Sequence, residues 1–273
     1  MLNPIHKIIN SSYDSQNVKS KILSINLRID GLSFVIMESE IIFNAECYEW
    51  QNKDWEYATQ QYKEVFSNNS IFKNEYKRVI VILNTRENTI IPIKYYDKSK
   101  ETIVLKTLFG IDNFVTFSSK LKNEDAILST AINNALNELL HIVFPKFDLF
   151  SYSSFFINEA INSSEKKGTV MLNIAQQSFE IINTKSKKII AHNYFDFTTA
   201  DEFMFFILSF IKQNNVDIES IQLLLSGKIS MDSKIGKSLD KYFPTIKQLQ
   251  KVSVNNKEAA FEGLKKYTLI ANS

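Results

Sequence analysis

The 273 residues carry 44% hydrophobic and 23% charged side chains, a globular composition that excludes a disordered or collagen-like chain. Lys plus Arg number 32 against 30 Asp plus Glu, so a formal net charge of +2 offers no basic surplus to neutralise phosphates, and nucleic-acid binding is not expected. The single cysteine, Cys47, excludes an internal disulfide, and His6, His141 and His192 lie too far apart for zinc-ligand spacing, so a cytoplasmic setting without a metal site is expected.

Residues 1–17 read as a polar leader. Leu23, Ile25, Leu27 and Ile29 then alternate with Ser24, Asn26, Arg28 and Asp30, the period-two pattern of a strand with one wet face. Asp30-Gly31 is a tight-turn signal, and the apolar run from Leu32 to Met37 completes a hairpin. Residues 41–50 supply a third strand, and 54–66 a helix with Asp54 as its N-cap. The continuous apolar run 79–83 predicts a strand buried on both faces. Pro92 weakens residues 88–94 as a central strand. A helix over 98–108 follows, then strands over 114–117 and 126–131. Leu136, Leu139, Leu140 and Val143 predict a helix stopped by Pro145, with a strand over 147–152 and a helix over 155–161 behind it. The polar stretch 162–168 is the best candidate for a domain boundary.

Beyond it the opening pattern returns. Strands are predicted over 169–174, 178–182 and 188–193, with a turn at 183–186. Thr199 and Glu202 then suggest a capping box at the start of an apolar helix over 202–212. Its richest window, residues 203–211, is half the roughly 18 residues a membrane span requires and reads as a buried helix. A strand over 221–225 and a helix over 232–242, stopped by Pro244, complete the half. The order β-β-β-α-β-α thus occurs twice, giving an α/β chain with one domain over 18–160 and a second over 165–273, with the last segment a candidate to cross back to the first.

This duplication resembles the actin-like ATPase fold, a ribonuclease H-like arrangement with mixed sheets shared by actin, sugar kinases and heat-shock chaperone ATPases. More specifically, LSINLRIDGLSFVI (23–36), VIVILNTRENTIIPIKYYD (79–97) and LLLSGKI (223–229) are similar to an uncharacterised bacterial actin-like family, domain of unknown function family 3822. The resemblance implies an ATP cleft between halves, with two hairpin turns and a glycine-rich turn at the nucleotide. The first hairpin of that fold reads Asp-x-Gly-Thr/Ser, whereas here it is Asp30-Gly31-Leu32-Ser33 with altered spacing. The second carries Asp-x-Gly-Gly, but the matching stretch is Asn173-Ile174-Ala175-Gln176-Gln177, without carboxylate or glycine. A magnesium ion prefers carboxylate oxygens, and side chains there would crowd a phosphate. The third turn, Ser226-Gly227-Lys228, keeps one glycine. Ordinary ATP hydrolysis is therefore not expected. The reading is a noncatalytic binding or scaffold protein with a protein partner and no cofactor. The alternative is a nucleotide-dependent switch that holds ATP and magnesium around Asp30, Ser33, Ser226, Gly227 and Lys228.

No other motif carries chemistry. Gly236-Lys237-Ser238 ends like a P-loop, but Met231 stands where the first glycine is required and the triplet falls inside a predicted helix. Cys47 lies in an apolar strand and His141 on an apolar helix, and neither His6 nor His192 has a recognisable partner. The acidic pairs Glu38/Glu40, Glu124/Asp125 and Asp201/Glu202 read as solvated loops and first helical turns. Trp50, Trp55, Tyr48, Tyr57 and Tyr62 concentrate aromatic surface beside the third strand, read as packing with an interaction patch as the alternative.

Overall fold

A computed structural model describes residues 2–14, 17–122, 125–227, 229–249 and 261–272. In chain order the elements are β1 (His6–Ile9), β2 (Ile22–Arg28), β3 (Gly31–Glu38), β4 (Ile41–Glu49), α1 (Trp55–Asn68), β5 (Arg78–Asn84), β6 (Asn88–Pro92) and α2 (Glu101–Phe109). There follow β7 (Phe114–Lys120), β8 (Ala126–Asn133), α3 (Asn134–Val143), β9 (Asp148–Ser151) and α4 (Tyr152–Asn162). The remainder is β10 (Thr169–Ile174), β11 (Ser178–Lys185), β12 (Lys188–Asp196), α5 (Ala200–Gln213), β13 (Gln222–Gly227), α6 (Lys234–Tyr242), β14 (Ile246–Gln248) and α7 (Glu262–Asn272). Two compact units divide the chain: the described residues of Met1–Ser119, Ile127–Ser154 and Asn255–Ser273 form one, and those of Lys120–Ala126 and Phe155–Val254 the other.

The first unit is built on a six-stranded mixed sheet in the order β1-β4-β3-β2-β5-β9. Strands β2, β5 and β9 are parallel, and β1, β4, β3 and β2 are antiparallel neighbours. The run Val79–Leu83 is flanked on both sides by parallel partners, which is why it needs no polar alternation. Leu23, Ile25 and Leu27 of β2 pack with Ala58, Tyr62 and Val65 of α1 and with Leu136, Leu139 and Leu140 of α3. Removing each such aliphatic side chain from water contributes about 1.5–3 kcal/mol. Helix α1 starts where Asp54 accepts a hydrogen bond from the Tyr57 amide, and α3 where Asn133 accepts from Ala135 and Leu136.

The opposite face of β2 is not wet, contrary to the alternation. Ser24 is fully buried because the C-terminal helix α7 lies against β2 and β3, with Leu264, Tyr267 and Thr268 buried in it. Arg78 fastens that helix: its guanidinium donates to the Ala271 carbonyl at 2.8 Å and pairs with Asp148 at 2.6 Å. Residues 6–9 of the leader add β1 to the sheet beside β4. Between β5 and α3 the chain inserts β6, α2, β7 and β8, whose strands form a separate sheet in the order β6-β8-β7.

The second unit repeats the plan without that insertion. Its sheet runs β12-β11-β10-β13-β14, with β10, β13 and β14 parallel. Val170, Leu172 and Ile174 of β10 pack with Phe203, Ile207 and Phe210 of α5 and Leu239 of α6. The hairpin between β11 and β12 turns at Ser186 and Lys187, both at positive φ, rather than at 183–186, and β11 continues to Lys185 with a bulge at Asn183/Thr184. Thr199 caps α5 by accepting from the Glu202 amide at 3.1 Å, while the Glu202 carboxylate accepts from the amide and hydroxyl of Thr198. Those bonds hold Glu202 below the usual carboxylate range, the backbone donor contributing most.

Candidate functional site

In an open α/β sheet, ligands are met at the carboxyl ends of the parallel strands. In the first unit that end is the β2–β3 hairpin. Its two-residue turn is Ile29–Asp30, between the paired residues Arg28 and Gly31, one position earlier than the Asp30-Gly31 signal implies. Gly31 is needed for a different reason: a Cβ there would overlap the Arg28 guanidinium and the Tyr48 carbonyl oxygen.

Arg28 thus folds back over the hairpin. Its guanidinium lies 3.3 Å from the Asp30 carboxylate and 3.7 Å from Glu49, with a long 3.5 Å contact to the Ser33 hydroxyl. Burial opposes the charge, but Cys47, Asp30 and Glu49 outweigh it and hold the guanidinium above its ordinary value. The hairpin backbone is fixed from behind: the Tyr62 hydroxyl donates to the Arg28 carbonyl at 2.5 Å and the Trp50 indole to the Ile29 carbonyl at 2.8 Å. Tyr62 is fully buried, and Trp50 and Trp55 pack on the same core, so this aromatic group is packing. Asp30 and Ser33 are therefore brought together, but around the chain's own arginine. Two carboxylates thus share one guanidinium at the hairpin.

In the second unit β10 and β11 are joined across the exposed residues Ala175, Gln176 and Gln177, closed by the Ala175 amide donating to the Ser178 carbonyl at 2.8 Å. No carboxylate or glycine stands in this turn. Asn173 is aligned with Ser226 across β10 and β13, and the Ser226 hydroxyl, 9% exposed, donates to the Leu172 carbonyl at 3.0 Å. Gly227 has φ +87°, and a Cβ on it would run into the Ile174 backbone. Both residues thus lie where β13 pairs with β10. Lys228 lies outside the described residues.

Other candidates resolve into structure. Cys47 is a buried thiol on β4. His141 is exposed on α3 with its ring 5.1 Å from that of Phe147. Gly236 sits in the first turn of α6, its amide donating to the Ser233 cap and its Cα facing the Ser230–Met231 backbone too closely for a Cβ. His192 has a partner after all: its Nε2 lies 2.7 Å from the carboxylate of Glu180, which is 2% exposed. The bulge-bearing register of β11 and β12 hides that pair from the sequence. Glu124 lies outside the described residues. Among the described residues no group of three or more His, Cys, Asp or Glu could hold a metal ion, and no helix is long and apolar enough to cross a membrane.

The duplicated mixed-sheet units define a protein of the actin-like ATPase fold, and solved structures show the same. A protein with actin-like ATPase fold and unknown function from Bacteroides thetaiotaomicron VPI-5482 is similar at 19% identity and a TM-score of 0.80, over 94% of this chain and 99% of that one. A chain of the PilM-PilN type IV pilus biogenesis complex is similar at 10% identity and a TM-score of 0.55, over 91% of this chain and 98% of that one. Residues 10–246 match the family described as Protein of unknown function (DUF3822), and the chain belongs to it. No curated protein matches the sequence.

Proposed function

We propose that this protein is a noncatalytic binding or scaffold member of the actin-like fold, acting through a protein partner. The observation that carries the reading is Arg28: it engages Asp30 and Ser33, the two groups of the first hairpin that a nucleotide-binding relative would turn to metal and phosphate. The second hairpin adds to it, because Ala175-Gln176-Gln177 offers neither a metal ligand nor the glycines that let backbone amides approach phosphate. The PilM-PilN structure supports the partner half by analogy, since that similar chain belongs to a type IV pilus biogenesis complex.

The test is phosphate release and calorimetric binding with magnesium ATP. This reading expects neither turnover nor heat. Stoichiometric binding would instead favour the nucleotide switch, with Asp30, Ser33, Ser226, Gly227 and Lys228 at the phosphates.

A further inference from the structure

The first unit holds a half-open cavity of about 360 Å³ between its N-terminal segment, β4 and α1, a volume within the range of small-molecule sites. One wall is the N-terminal segment, with Lys7 and Tyr13. The others are β4, with Glu46 and Tyr48, and the end of α1 with the turn behind it, where Glu64 and Asn69 stand. Glu46 is 2% exposed, and a carboxylate buried to that degree requires a positive partner and hydrogen bonds. It accepts from the Tyr48 hydroxyl, from the Asn69 amide at 3.2 Å and from the Lys7 ammonium at 2.6 Å.

That cation is held differently from the carboxylate it serves. Lys7 is 47% exposed and sits on the four-residue edge strand β1, whereas Glu46 is held in β4 between β1 and β3. A lysine ammonium on a long flexible stem is readily exchanged for another ammonium. The ionisable lining is two carboxylates, two phenols and one lysine, so with Lys7 swung out to water the Glu46 carboxylate is left without its cation beside the rings of Tyr13 and Tyr48.

We propose that this cavity binds a small organic ammonium ion, whose charged head replaces the Lys7 ammonium on Glu46. Lys7 is then a built-in competitor: it keeps Glu46 neutralised while the site is empty and leaves when the ligand arrives. The same ammonium chemistry is found on a free amine and on a lysine side chain of a partner, and a volume of about 360 Å³, that of a small-molecule site, favours the free amine.

The probe is n-butylammonium chloride, titrated into the full chain by calorimetry and ligand-observed NMR, with n-butanol and sodium chloride as controls. Saturable binding of the ammonium alone is expected, strengthened about tenfold in Lys7→Ala because the internal competitor is gone. Binding is expected to be lost in Glu46→Gln, and should that variant not fold, a several-fold weakening in Glu64→Gln takes its place. Nα-acetyl-lysine amide distinguishes the sources, and tighter binding of it than of n-butylammonium would overturn the free-amine assignment. Absence of n-butylammonium binding to both the wild-type chain and Lys7→Ala at about 10 mM would overturn the proposal as a whole.

Discussion

Arg28 and Asp30, two residues apart across the turn of the first hairpin, are ion-paired at 3.3 Å, with the same guanidinium lying over Gly31. The relationship gives the turn carboxylate a partner within its own hairpin. Removing the guanidinium takes from Asp30 and Glu49 the cation they share. Because the Arg28 side chain is 20% exposed, solvent screens part of the loss, and Arg28→Ala is expected to cost about 1–3 kcal/mol in urea unfolding. Gly31→Ala should cost at least about 2 kcal/mol. Combining the two relieves only part of the clash, since the Tyr48 carbonyl remains in place.

Glycines separate by surroundings as well as by backbone angle. Gly227 and Gly110 both have positive φ, +87° and +63°, yet a Cβ on Gly227 meets the Ile174 backbone whereas Gly110 has nothing within 4 Å. Gly110→Ala therefore carries only the left-handed conformational penalty, about 1 kcal/mol, and Gly227→Ala more than about 3 kcal/mol. Parallel denaturation curves check the order, and equal losses would contradict it.

Glu202 titrates below the ordinary carboxylate range because the Thr198 amide, and then its hydroxyl, bond to the ionised form. A lowered folded value means that this contribution to stability is present above the unfolded glutamate value and is lost as pH falls through the folded one. Carbon-detected NMR titration of Glu202 should show the low midpoint. Thr198→Ala should raise it only part of the way, because the stronger donor is the backbone. An unchanged midpoint would remove the hydroxyl's role.

Helix α7 is the cover of β2 and β3, and Tyr267 in it is 6% exposed with its ring 5.2 Å from Tyr152. Tyr267→Ala should cost about 3 kcal/mol and accelerate amide exchange in β2 and β3 while sparing β10 and β13. Uniform acceleration in both sheets would contradict the assignment of α7 to the first unit.

Much of this was legible in the amino-acid order. The hairpins, the buried run Val79–Leu83 and the caps at Asp54 and Thr199 follow from local patterns whose physical causes are themselves local. The polar face of β2 was not, because alternation reads the same whether water or a helix more than 230 residues away covers it. Arg28 was hidden because its fold-back over Gly31 toward Asp30 and Glu49 depends on the hairpin and β4 together. Strands β1 and β14, four and three residues long, are too short to show a period. The Glu46 cavity needs the N-terminal segment, β4 and α1 together, and no spacing in the sequence announces it.

The central claim is that the hairpin chemistry is spent internally. A thermal-unfolding titration with ATP, ADP and GTP, each with and without magnesium to a few millimolar, tests it most directly. A ligand at about 100 times its Kd would stabilise the native chain by about 2.7 kcal/mol, a shift easily resolved. The account predicts no shift with any nucleotide. A saturable, magnesium-dependent rise that Asp30→Ala abolishes without unfolding the chain would contradict it.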